Sequence, residues 1–165
     1  MKEATIDKIN EEVKTISLFR RNETPYISIQ KGNSTGFLSN KLSRFLGLVD
    51  GDYIQFHKHK EHKFCWSFSI TQEPLGASKL NYPRSSRVWR FNDVDSINQM
   101  CETFNIGKTR VKLYVGIKSY ITSRTLNMDI VKQFQIIDVP MQRYDIPEST
   151  REAYIEEYTN SITRL

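Results

Sequence analysis

Strict alternation of apolar and polar side chains between Tyr53 and Thr71 limits what this chain can fold into more than any other feature. Ile54 and Phe56 fall on one side, and Tyr53, Gln55, His57 and His59 on the other. After a polar turn at Lys60, Glu61 and His62, the residues Phe64, Trp66, Phe68 and Ile70 alternate with Cys65, Ser67, Ser69 and Thr71. A period of two sends successive side chains to opposite sides of an extended backbone, so the segment reads as a β-hairpin with one buried face. Trp66 is expected in the core and Ser67 at the surface.

The rest of the chain is read against this hairpin. Tyr26 to Gln30, Arg87 to Phe91, Arg110 to Ile117 and Ile130 to Val139 carry strand patterns, the last closed by Pro140. Ile6, Ile9, Val13 and Ile16 are spaced as one helical stripe, and Val94, Ile97, Cys101 and Phe104 as another, capped by Asn92 or Asp93. Pro147 opens a third helix with a narrow stripe of Ile155, Tyr158, Ile162 and Leu165. Most strands follow one another too closely for parallel crossovers. The order therefore predicts an α+β fold: an antiparallel sheet with a central hairpin (53–71), helices at both termini and one packed helix (93–105). At 165 residues and 38% hydrophobic, the chain is long enough for a single domain, 1–165, with a core of its own. Pro74, Gly76 and Pro83 make the loop 73–86 the place for any subdomain boundary.

The two cysteines, Cys65 and Cys101, have no CxxC spacing, which fits buried thiols in a reducing compartment rather than a disulfide framework. No run approaches the roughly 18 to 20 apolar residues of a membrane span, and a cytoplasmic protein is expected. P-loop, GxSxG and HExxH patterns are missing, so the reading is non-enzymatic and without cofactors. All three histidines fall between His57 and His62, yet no second ligand pair accompanies them, and no metal site is assigned.

Charge points more definitely to a partner. Net charge is +5, with the excess held centrally: residues 79 to 132 carry 10 Lys or Arg against 4 acids, whereas residues 133 to 165 carry 3 against 6. A basic middle attracts polyanions, because phosphate neutralisation releases condensed counterions. Arg110, Lys112, Tyr114, Lys118 and Tyr120 alternate with Val111, Leu113, Val115 and Ile117, so burying the apolar set turns the basic and aromatic set outward together. Arg84, Arg87 and Arg90 just upstream extend that face, with Trp89 divided between surface and core.

The run from Gln30 to Phe56 has a glycine-containing turn, then Lys41, Leu42, Leu46, Gly47 and Leu48, then Gly51-Asp52 leading into the hairpin. In this spacing it resembles the AbrB-like swapped-hairpin DNA-binding domain. That resemblance implies DNA contacts from Lys31, Lys41 and Arg44, and a homo-oligomer. The sequence thus leads to a non-catalytic nucleic-acid-binding protein, a regulator or a phage or mobile-element accessory factor. This reading leaves single- and double-stranded DNA both open as the ligand. A phage-type structural or assembly protein, acting through protein–protein contacts, is the alternative.

Overall fold

The computed structural model describes residues 24–124 and 130–163. Its strands are β1 (Tyr26–Ile29), β2 (Thr35–Leu38), β3 (Tyr53–Lys58), β4 (Trp66–Thr71), β5 (Ser78–Asn81), β6 (Arg90–Asn92), β7 (Val111–Arg124) and β8 (Ile130–Ile137). Helix α1 (Asn40–Leu46) follows β2, α2 (Val94–Thr103) follows β6, and α3 (Glu148–Thr163) follows a 3-10 turn at Pro140–Gln142. The strands close into one barrel in the order β1-β2-β6-β5-β3-β4-β8-β7, every neighbouring pair being antiparallel.

This closed barrel corrects the expectation of an open α+β sheet built on a central hairpin. The hairpin pairs Tyr53 with Thr71 and Lys58 with Trp66, but it supplies two of eight staves. Two other staves, β2 and β5, were hidden by their brevity, and the strand expected over Arg87 to Phe91 is the still shorter β6, beginning at Arg90. β2 is TGFL inside a glycine-bearing turn, β5 is SKLN inside the Pro- and Ser-rich loop, and β6 has three residues. Runs this short hardly express a period of two, yet each pairs on both sides and removes an edge that would otherwise be unpaired. The expected boundary at 73–86 accordingly contains β5, bonded to β3 and β6. The expected helix over residues 3–16 lies outside the described residues.

Inward-facing Ile27, Ile29, Leu38, Ile54, Phe68, Leu80, Phe91 and Leu113 fill the barrel, all at 0% exposure. At the end where β4 begins, Phe64 meets Phe104 of the α2 terminus and Tyr154 and Tyr158 of α3, while Trp66 donates its indole N–H to Thr103 Oγ1 at 3.1 Å. Tyr158, part of the narrow stripe expected on the last helix, is thus buried within its own chain. Towards the other end of β4, Phe45 of α1 lies edge-on to Phe134. Local chemistry fixes α1: the Ser39 hydroxyl accepts from Leu42 N at its start, and Gly47 at φ 62° ends it. Ser67 departs from expectation, being 4% exposed, because Gln133 of β8 reaches over the wall and accepts its hydroxyl proton at 3.1 Å. No helix among the described residues is long and apolar enough to cross a membrane.

β2 can pass beside the core only because Gly36 has no side chain: a Cβ there would stand 2.2 Å from Phe91 Cζ. Gly36→Ala is expected to lose at least about 1–3 kcal/mol, as overpacked cores do. In urea melts, Gly36→Ala/Phe91→Leu should be more stable than the sum of the single changes predicts; simple additivity would show that the two sites do not touch.

Candidate nucleic-acid interface

Two walls form a groove of about 480 Å³ on one flank of the barrel. One wall is α1, whose outward face carries Asn40 and Arg44 a single turn apart, with Arg44 Nε donating to Asn40 O at 3.3 Å. The opposite wall is the connection from β5 to β6, where Tyr82, Arg87 and Trp89 line the cleft. Arg87 N donates to Pro83 O at 2.9 Å and Arg87 itself adopts φ 53°, so a closed turn aims its guanidinium outward. Trp89 is held by its backbone, since its carbonyl accepts from Leu38 N at 3.0 Å. Tyr82 packs against it with ring centroids 5.3 Å apart and stays 48% exposed. Among the described residues, none that lines the groove is acidic.

The pairing registers continue this surface. Arg90 of β6 stands opposite Phe37 of β2, Phe37 opposite Ser28 of β1, and Ser28 opposite Lys112 of β7, which makes one outward row across four adjacent strands. Arg110 lies along it with its guanidinium 4.7 Å from the Phe37 ring centroid, donating to Ser28 O at 3.0 Å. Lys112 Nζ sits 4.5 Å from the Tyr26 ring centroid. Cations held over aromatic faces at the surface are positioned without being neutralised by carboxylates.

The residues singled out in the sequence therefore divide. Arg44 and Arg87 line the groove, with exposed Lys41 and Arg84 on the same two elements. Arg110 and Lys112 lie on the row, and Lys31 is exposed in the β1–β2 turn. Tyr114 shares the outward side of β7 but is 4% exposed, packed with Cys65, Ile137 and Val139, its hydroxyl 3.3 Å from Gln142 Oε1. Tyr120 does not join them. The pairing of β7 with β8 slips between Gly116 and Ile121, which reverses the faces, and Tyr120 packs instead near Phe134 with Lys132 Nζ 4.6 Å from its ring centroid. The Lys118 side chain lies outside the described residues. Arg90, read with Arg84 and Arg87 as an extension of the basic face, stands on the row opposite Phe37, whereas Tyr82 was not selected; an aromatic beside Pro83 in a basic loop was the available signal.

Metal and thiol chemistry find little support in the geometry. Among the described residues no group of three or more His, Cys, Asp or Glu could hold a metal ion. His57 Nε2 lies 2.9 Å from Ser69 Oγ, while His59 Nδ1 accepts the amides of Glu61 and His62. Burial pushes both cysteine thiols up to about 11, so neither is a thiolate near neutral pH.

Beside Arg110 and Lys112 a second cleft, about 280 Å³, reaches down to a buried network. Arg143 places its guanidinium on both Asp145 oxygens (2.8 and 2.9 Å), on Asp138 Oδ2 (2.9 Å), and on the carbonyls of Phe104 (2.7 Å) and Asn105 (2.9 Å). Asp138 also accepts from the Tyr154 hydroxyl, and its amide donates to Tyr158 Oη at 3.2 Å. No family model matches the chain, and neither a curated protein nor a solved structure matches it.

Burial raises Asp138 from 3.8 to about 6, outweighing the attraction of Arg143. A carboxyl that holds its proton more tightly folded than unfolded stabilises the fold below about pH 3.8, and that contribution fades as pH rises through about 6. Asp138→Asn should remove this decline from the stability profile between about pH 4 and 6. Chemical denaturation at a series of pH values checks it, and an unchanged slope would place the titration elsewhere.

Proposed function

We propose that this protein is a non-catalytic DNA-binding protein whose ligand lies along the flank from the α1 groove to the row on β6, β2, β1 and β7. The observation that carries the reading is the Tyr82–Trp89 pair, Tyr82 exposed on a half-buried Trp89, flanked by Arg44 and Arg87 in a groove with no acidic residue in its described lining. Arginines supply charge and bidentate donors for phosphate, and exposed rings supply the apolar contact that distinguishes a nucleic acid from a simple anion. Arg90, Arg110 and Lys112 extend the cationic path over neighbouring strands.

One observation favours the alternative. Phe45 at 49% and Ile130 at 66% exposure border a cleft of about 300 Å³ near Phe134, an apolar surface of the kind that protein partners cover. A second copy of the chain seated there would make the protein an assembly component, and light scattering of the purified chain reads that directly.

Fluorescence anisotropy of labelled DNA at low and moderate salt tests the favoured reading. Affinity should fall steeply with salt, and Lys112→Gln and Arg87→Gln should each lower the slope by about one. Absence of binding at low salt, with stable oligomers present, would overturn it in favour of assembly. Arg87→Gly is a sharper variant, because glycine accepts φ 53° without strain. It should leave stability within about 1 kcal/mol of the parent while weakening DNA binding as much as Arg87→Gln does.

A further inference from the structure

We infer that the groove takes a single strand, with one unstacked base lying on Tyr82 and its neighbouring phosphates on Arg44 and Arg87. The inference rests on the DNA-binding reading and narrows its ligand.

The argument begins with what an exposed ring can recognise. Tyr82 offers about half of its surface to solvent and has its other contacts with Trp89, so the side of the ring turned to the groove is a flat apolar face in water. In a duplex each base face is covered by its neighbours, and only the edges and phosphates are presented to a protein. A ring face is therefore of use only to a base that has left the stack, and stacking on it requires no particular sequence. The platform is formed in advance: Trp89 is fixed by the Leu38 amide to its carbonyl, and Tyr82 already rests on Trp89. Little side-chain freedom remains to be lost on binding.

The cations sit where a strand's backbone would follow. Arg44 on α1 and Arg87 on the opposite wall border the same cavity, so a base on Tyr82 has a guanidinium to either side. From there Arg90, Arg110 and Lys112 lead across three strand spacings, about 14 Å at the usual separation of paired strands. That path is perpendicular to the strands and follows a curved wall, which a flexible single strand can track more readily than a stiff duplex. Recognition of helical grooves ordinarily inserts a projecting helix or ribbon. Here the aromatic pair lies in a recess between two walls.

Intrinsic fluorescence reads the contact. Of the two tryptophans, Trp66 is 2% exposed with its indole bonded to Thr103, whereas Trp89 lines the groove. Titration with oligothymidylate should quench emission, and Trp89→Phe should abolish the quenching while anisotropy still reports binding. Tyr82→Ala, with an unchanged melting temperature, should weaken single-strand binding roughly 5- to 150-fold without altering the salt slope, and Tyr82→Phe should restore it. A blunt hairpin duplex of the same length should compete poorly. Equal competition by the duplex, together with full affinity in Tyr82→Ala, would overturn the single-strand inference and leave DNA binding standing. Failure of both DNAs to bind at low salt would overturn both.

Discussion

The barrel depends on β1 pairing on both sides. Its four residues join β2 through Ile27 and Ser28 and β7 through Tyr26 to Ile29, and without that seam eight strands would form a curved sheet with two open edges. Closure explains why short staves suffice. A three-residue strand such as β6 has little stability alone, but within a ring its amides and carbonyls find partners in β2 and β5, and Phe91 reaches the centre of the core. It also explains the surface. Once one face of every strand is committed inward, the outward residues of β6, β2, β1 and β7 become a continuous wall.

Arg143 locks the end of that ring. Its five N–H donors match its five hydrogen bonds, two to one carboxylate, one to another and two to the carbonyls that end α2. One side chain thereby joins α2, the end of β8 and the segment leading to α3. Buried charge of this kind is held in place by completeness: with every donor satisfied the group is tolerated, whereas removal of one member leaves carbonyls and carboxylates dry and unpaired. The network also gathers two carboxylates onto one guanidinium. Asp138 and Asp145 sit within ten residues of Arg143, and their negative charge is directed to its guanidinium rather than towards Arg110 and Lys112 across the cleft.

How much was legible follows from these constraints. The hairpin and α2 announce themselves, since six-residue strands and a ten-residue helix are long enough to show their periods. Closure was not visible, because β2 and β5 lie in stretches that read as loops, and the pairing partners of β2, β5 and β6 are set by the tertiary ring and not by local pattern. Charge singled out Arg87, Arg110 and Lys112, and the resemblance singled out Arg44, but alternation was carried too far along β7: beyond Gly116 a register shift turns Tyr120 to the other side, and Gly116 itself was the one local mark of it. Tyr114 shows the other limit, for outward is not the same as exposed, and here neighbouring side chains cover the wall.

The brevity of β6 has a thermodynamic side. It is the shortest stave, held by few backbone bonds to β2 and β5, and it carries Arg90 on the outer wall directly after the tryptophan that lines the groove. A polyanion drawn across that wall would bridge β6 to β1 and β7 from outside, acting as a hoop over the barrel's thinnest seam. Occupancy and mechanical integrity would then be coupled: a ligand held by the folded ring and not by the opened chain would shift the balance towards closure by its own mass action.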